Sequence, residues 1–529
     1  MTFSYDLTTE KWIPCIDRHN RLVLVSLREA IDEAHNLVAL AADLPIMNSA
    51  LFLFLLAFTS ASHPLRDLDD WEKLYVSGSF SKQATETYLK KWANRFDLFD
   101  PEHPFYQDPK FGKREKDQKN LKSGTKPLPK SIKGLLMHLS SGSNATLFEH
   151  SFDEQEKWYD PAEIARILVM VQPYSLGGMT SASIGKDKYY KDSAFSRGVT
   201  FLCRGDDLFD SLMQNMIPAE KDPISHGKGD RPCWEAEDPF ADDSGEPRGL
   251  LDLLTLQSRR ILLMPELTSL GVMVKDCFTA PGLSLVESFK NPFYLNIFDS
   301  DKGKVSAKPF RFRTNGVIWR DSNVILDRTR ENSDPPITNS LFYDLKAEGI
   351  LQNQKISLDL YGMVTEPGKK VIYAYVHERF DAPAVYLEDL MLFESFKHAL
   401  ALADAVRAGL YYATYTLASY KIYPDQDVVE SMSPDKKMVS ALYDHISMEQ
   451  FFWGSLEKDF YQLLDHLPGN EAALETWKSA LEKNARASLA AAAEIAGDDA
   501  AGLKARAKAE MRLNYQLREA FNPKMEVTK

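Results

Sequence analysis

The sequence predicts an α+β protein: a mixed globular domain with irregular sheet pieces over residues 1–384, then an antiparallel four-helix bundle over 385–529. Three observations carry this prediction. Before residue 384, short helical stretches alternate with strand-like runs and Pro/Gly turns. After it, Leu392, Phe396, Ala399, Ala403, Val406, Leu410, Ala413 and Leu417 recur at spacings of four and three, which keeps one apolar stripe on a long helix. Finally, 529 residues with 44% hydrophobic side chains can bury more than one core.

Taken in order, the first marked element is "ALFLFLLAF" at 50–58. This apolar run is far short of the ~20 residues that cross a bilayer, so it reads as a buried helix. The N-terminus has no basic start followed by an apolar core, so the expectation is a soluble, cytoplasmic protein with no membrane partner. Residues 110–133 are rich in lysine and poor in apolar side chains, carrying Lys110, Lys113, Arg114, Lys116, Lys119, Lys122, Lys126 and Lys130. Such a run is either a solvated loop or a flexible contact to a phosphate backbone. "NPFYLNIFD", "DKGK" and "KPFRFR" read as one hairpin. "ISLDLYGMV", "EPGK" and "KVIYAYV" read as another, with Pro367-Gly368 suited to the centre of a type II turn.

In the helical half a stop at "YPDQD" precedes a second helical segment from about Pro434 to "LPGN". A third carries Leu474, Trp477, Leu481, Ala485, Ser488 and Ile495 and ends at Gly497; a fourth runs from about Ala500 to Phe521. An oligomeric coiled coil is the rival, but breaks at Pro424, Pro468 and Gly497 favour helices folded back on one another.

The stretch "SLGGMTSASIGKD" at 175–187 looks like a phosphate-binding loop and fails the test. A P-loop needs GxxxxGK followed by Ser or Thr; here six residues separate Gly178 from Gly185, and Asp187 stands where the hydroxyl is required. What remains is a loop of small residues in which glycine lets the backbone approach another surface, or simply a tight turn. Cys15, Cys203, Cys233 and Cys277 form no CxxC pair, and their spacing supports neither a zinc site nor a disulfide framework. HExxH and GxSxG are absent, and the Asp-His pairs at 444–445 and 465–466 fall in the helical half. A net charge of −13 argues against a free-standing nucleic-acid binder while leaving room for a local basic patch. The residues thus point to a large binding protein without catalytic residues, metal or cofactor. A helical scaffold that ignores nucleic acid, and a hydrolase with an unrecognised site, stay open at this stage.

"EKWIPC" at 10–15, "WANRFDLFDPEHPFYQ" at 92–107, "QPYSLGGM" at 172–179, "CRGDDLFDSLMQN" at 203–215 and "RPCWE" at 231–235, in that order, resemble the CasA family, the large subunit of the type I-E CRISPR Cascade surveillance complex. The resemblance implies a non-enzymatic subunit near the 5′ handle of the guide RNA. That subunit reads a protospacer-adjacent motif in the minor groove of double-stranded DNA and helps start unwinding and R-loop formation. The implied partners are the other Cascade subunits, the small subunits and displaced strand at the bundle, and a recruited helicase–nuclease. By position, the family's glycine loop falls on Gly177, Gly178 and Met179, and its wedge hairpin on Thr365, Glu366, Pro367, Gly368 and Lys369. Some members carry glutamine at that tip, where this chain has glutamate. A motif-reaching lysine corresponds to Lys275, or else Lys275 is an ordinary surface lysine. The guide-RNA loop corresponds to "SSGSNATLF" at 140–148, with Asn144 hydrogen-bonding and Phe148 either stacking on a base or lying in the core.

Overall fold

The computed structural model describes residues 3–121, 126–137, 157–179, 182–184, 189–225, 229–241, 244–301, 304–313, 316–328, 330, 333–365, 371–428, 434–470 and 472–522. By its internal contacts the chain forms two compact units: Met1–Thr314 with Thr329–Phe380, and Asn315–Arg328 with Asp381–Lys529.

The first unit is organised around the helix Pro45–Ser62. Proline at its first turn presets the backbone, and the hydroxyls of Thr59 and Ser62 close its last turn by donating to the carbonyls of Leu55, Leu56 and Phe58. By length and composition alone it would pass for a membrane span, but most of it lies inside the protein. Its apolar character on all sides has a simple cause, since neighbours cover it on all sides. Phe54 meets Trp12, Phe105, Tyr106 and Trp234, and Phe58 meets Tyr88, Phe96 and Trp234, all with ring centroids 5.4–6.5 Å apart. Three of the five diagnostic stretches, those at 10–15, 92–107 and 231–235, therefore supply rings to one core.

Among the described residues the strands form four three-stranded sheets and one two-stranded ribbon. Ile13–Asp17 lies between Leu22–Val25 and Leu37–Leu40. The long hairpin Arg259–Thr268/Gly271–Pro281 carries Lys130–Ser131 on its outer edge. A register shift at Met264/Pro265 accommodates the proline, which has no N–H for the ladder. Asn296–Asp301 pairs with Lys304–Pro309 and, on its other side, with Ser333–Asp334; a hairpin is present where one was expected, but its second strand starts at Lys304 and ends at Pro309, so Phe310–Arg313 of "KPFRFR" lie outside it. Lys355–Thr365 lies between Ile372–Pro383 and Thr200–Cys203, so the strands of the other expected hairpin are present. Its tip residues Glu366, Pro367, Gly368 and Lys369 lie outside the described residues, as do Asn144, Phe148 and Lys122.

The Lys-rich run does not behave as one loop. Residues Glu115–Asn120 form a short helix, and Lys130 enters the hairpin sheet opposite Cys277. Arg114 is already matched by charge within the protein. Its guanidinium donates to Asp108 at 2.9 Å and to Asp238 at 2.8 Å, because the chain folds both carboxylates back onto it. Beside it Arg260, nearly fully buried, bonds to Asp108 at 2.8 Å and to Asp117 at 2.9 Å. Lys110 pairs with Asp238 at 3.2 Å and Lys119 with Glu115 at 2.6 Å; Lys110, Lys113, Lys116, Lys119 and Lys126 are all exposed, and Lys113 and Lys126 form no ion pair among the described residues.

The second unit contains the helices Leu390–Ile422, Lys436–Ile446, Glu449–His466, Ala472–Ala496 and Ala500–Phe521. Four are long, as expected; the second expected segment is split at Ser447–Met448 into a short and a long helix. The first helix packs along the last, closely enough that a Cβ on Gly409 would stand 2.8 Å from Gln516. Trp477 donates its indole N–H to the carbonyl of Ala399 at 2.8 Å, tying the third long helix to the first. Trp319, from the inserted segment, stacks on Phe460 at 4.6 Å and meets Trp453 and Trp477 edge-on. All four cysteines are free and buried, and burial pushes the thiols of Cys15, Cys203 and Cys233 up to about 12.

Candidate nucleic-acid interface

The helix Pro161–Val171 delivers the chain to "QPYSLGGM". There Ser175 donates back to the carbonyl of Val171 at 2.7 Å, and Tyr174 shares hydrogen bonds with Ser49 and Thr200. The next residues form an antiparallel ribbon, Gly178–Met179 against Tyr189–Tyr190, with Gly178 opposite Tyr190 and Met179 opposite Tyr189.

The two glycines do different jobs. Gly177 donates its N–H to the Asp192 carboxylate at 2.6 Å, and a Cβ there would come within 2.8 Å of the Tyr190 carbonyl oxygen and the Asp192 nitrogen. Its missing side chain is therefore filled by the ribbon's own second strand. Gly178 has φ of +136°, a backbone region that favours glycine. Met179 follows at 77% exposure. The ribbon so presents Met179 and the Gly178 backbone rather than a bare stretch at both 177 and 178.

The support beneath the ribbon was not legible from sequence. Arg259 is buried, yet its guanidinium meets no carboxylate within ion-pair distance among the described residues. It donates instead to the carbonyls of Leu176 at 3.1 Å and Ser258 at 2.9 Å, and lies 5.1 Å from the centre of the Tyr190 ring. Burial pulls its pKa down to about 10, so it remains a cation at neutral pH. Gln172 holds the other side of this arginine, donating to its carbonyl and accepting from its N–H. Nothing in "SRRILL" distinguishes Arg259, which holds the ribbon, from Arg260, which joins the carboxylate network.

Several elements that carry expected site residues adjoin here. Ser183 donates to the carbonyl of Thr279 on the long hairpin, and Leu128 donates to the carbonyl of Ser183. The end of the Lys-rich run, the ribbon and the hairpin bearing Lys275 thus share one neighbourhood. Lys275 itself lies 4.6 Å from the Trp158 ring centre and 4.0 Å from the Glu266 carboxylate, so it is held rather than freely extended. The strand that ends at Thr365 joins the same region through Tyr361, which pairs with Thr200. Among the described residues no group of His, Cys, Asp and Glu is arranged to hold a metal ion.

The sequence model of the CRISPR-associated protein Cse1 family matches residues 6–488. The chain is 26% identical over 530 residues to CRISPR-associated protein CasA/Cse1 of Thermus thermophilus, covering 97% of each. Its fold is similar to that of Thermobifida fusca Cse1, with a TM-score of 0.78 at 21% identity over 98% of both chains. It is similar also to the crystal structure of Thermus thermophilus CasA, with a TM-score of 0.77 at 24% identity over 98% of this chain and 100% of that one. A chain of a CRISPR RNA-guided surveillance complex aligns with a TM-score of 0.76 at 18% identity, over 98% of this chain and 100% of that one. A match of this extent, on a chain whose diagnostic stretches build its central aromatic core, means that the protein belongs to the CRISPR-associated Cse1 family.

Proposed function

We propose that this chain is the large subunit of an RNA-guided DNA surveillance complex of the Cascade type, with no catalysis of its own. In this reading the guide RNA selects the target by base pairing, so the protein need recognise only a short motif in the flanking duplex. The ribbon Gly178–Met179 meets the minor groove of that duplex, and the Thr365 hairpin opens the adjoining pairs. The guide RNA's 5′ handle, the backbone and small subunits, and a recruited helicase–nuclease are the partners this reading assigns. The minor groove distinguishes mainly A·T from G·C, so tolerant motif reading follows.

One observation carries the reading: the ribbon, with Gly178 in its glycine-favouring backbone, stands beside the hairpin of Lys275 and the end of the Lys-rich run. Replacing Gly178 by valine should strain that backbone and fill the approach. In the assembled complex Gly178→Val is expected to weaken motif-dependent duplex binding by about tenfold or more, the scale of one lost base-pair contact, while the complex still assembles. Unchanged motif-dependent binding would refute the assignment. It would favour a scaffold role, which the net charge of −13 also suits.

A further inference from the structure

The ribbon has two faces, and the fold uses one of them. In an antiparallel pair, directly opposed residues project to the same side, and successive residues alternate. Tyr190 is 3% exposed beneath the Arg259 guanidinium, which fixes the inner face. Tyr189 is 64% exposed and stands opposite Met179 at 77%, which sets both on the outer face. Single exposed apolar residues are ordinary on a protein surface. Here an aromatic ring and a thioether are held side by side on one strand pair, next to a glycine of restricted backbone.

The flanking charge narrows what this pair meets. Residues 186–191 read "KDKYYK", three lysines to one aspartate around the two tyrosines. Lys191 is exposed and forms no ion pair among the described residues. An exposed ring and thioether beside the exposed Lys191, in a stretch whose sequence is rich in lysine, suit a ligand with stacked rings and phosphates rather than an apolar protein pocket.

We infer that Tyr189 and Met179 form an apolar wedge that packs against the sugar edges and first base step beside the motif, while Lys191 meets the adjoining phosphate. The inference rests on the proposed reading of the ribbon as the DNA-facing element. Apolar wedges in the minor groove partly unstack the step they enter, so the pair contributes to opening as well as to affinity.

The test uses the assembled complex and a motif-bearing duplex with 2-aminopurine at the first base pair beyond the motif. Tyr189→Ala is expected to lose about tenfold in affinity and to slow the fluorescence rise, because a stacking contact is removed. Its slope of log K against log salt should match the parent's, since no phosphate contact is lost; Lys191→Ala should lower that slope by about one. Tyr189→Phe should behave as the parent. If Phe fails as Ala does, the contact is a hydroxyl hydrogen bond and the wedge is overturned. If Tyr189→Ala binds and opens the duplex like the parent while Gly178→Val loses motif binding, the wedge is overturned and the ribbon reading stands. If both variants are silent, the two fall together. Thermal melting of Tyr189→Ala, whose side chain is exposed, should show an intact subunit.

Discussion

Arg260 illustrates what a single side chain decides in this molecule. It lies between Asp108 and Asp117, both fully buried; replacing it by leucine leaves Asp108 with Arg114 and the Lys110 N–H but takes the guanidinium from Asp117, which keeps the Gly112 N–H. Breaking a buried pair in this way costs about 3–5 kcal/mol, so Arg260→Leu should lower the urea midpoint of the first unit by that equivalent. Asp238 provides a pH dependence. Burial alone would raise its carboxyl, but hydrogen bonds from the Arg114 guanidinium, the Phe240 N–H and Lys110 hold it down to about 2. Because the folded carboxyl titrates below its unfolded value, its contribution is fully present above about pH 4 and lost as pH falls toward 2. Between about pH 5 and about pH 2.5 the melting temperature of the native protein should fall more steeply than that of Asp238→Asn. In the linear sequence Arg114 is one more cation in a basic run, and only the fold brings Asp108 and Asp238 onto it. Gly177 and Gly178 likewise look equivalent as letters, though one is filled by its partner strand and the other is set by its backbone angle.

Elements were legible where a local rule sets them. Period-two alternation with Pro-Gly or Lys-Gly turns marked both hairpins, and spacings of three and four marked the long helices. The break at Ser447–Met448 was not legible, because it contains neither proline nor glycine and the helix beyond it begins without a side-chain cap. Packing of Phe452, Trp453 and Leu456 into the second unit decides it instead. The Lys-rich run divides in the same way, by what each part touches. Its exposed Lys113 and Lys126 should supply a sequence-independent, salt-sensitive contribution to DNA binding. Changing both to alanine should flatten the salt slope of the assembled complex by about two. Arg114→Ala should leave that slope nearly unchanged and lower the thermal midpoint, since its charge is already matched inside the protein.

At the scale of the molecule, the contrast between a mixed stretch and a helical one followed from composition, but the placement of the segment 315–328 did not. It joins the helical unit from far upstream, and no linear pattern states where a short segment will dock. Trp319 fills that unit's centre among Phe460, Trp453 and Trp477, so Trp319→Ala should destabilise it by about 3–5 kcal/mol. Calorimetry should show the loss in one transition of the full chain. The core also explains why family likeness was readable while the site was only partly so. The stretches that give the chain its strongest resemblance are rings around the helix Pro45–Ser62, and such residues report architecture. Arg259, whose grip on Leu176 keeps the ribbon in place, left no comparable trace. Because Arg259 and Tyr190 anchor the ribbon from its inward side, positions 179 and 189 stand, in the proposed reading, as an interchangeable stylus on a fixed arm: libraries varied there can be screened for altered target preference without redesigning the arm.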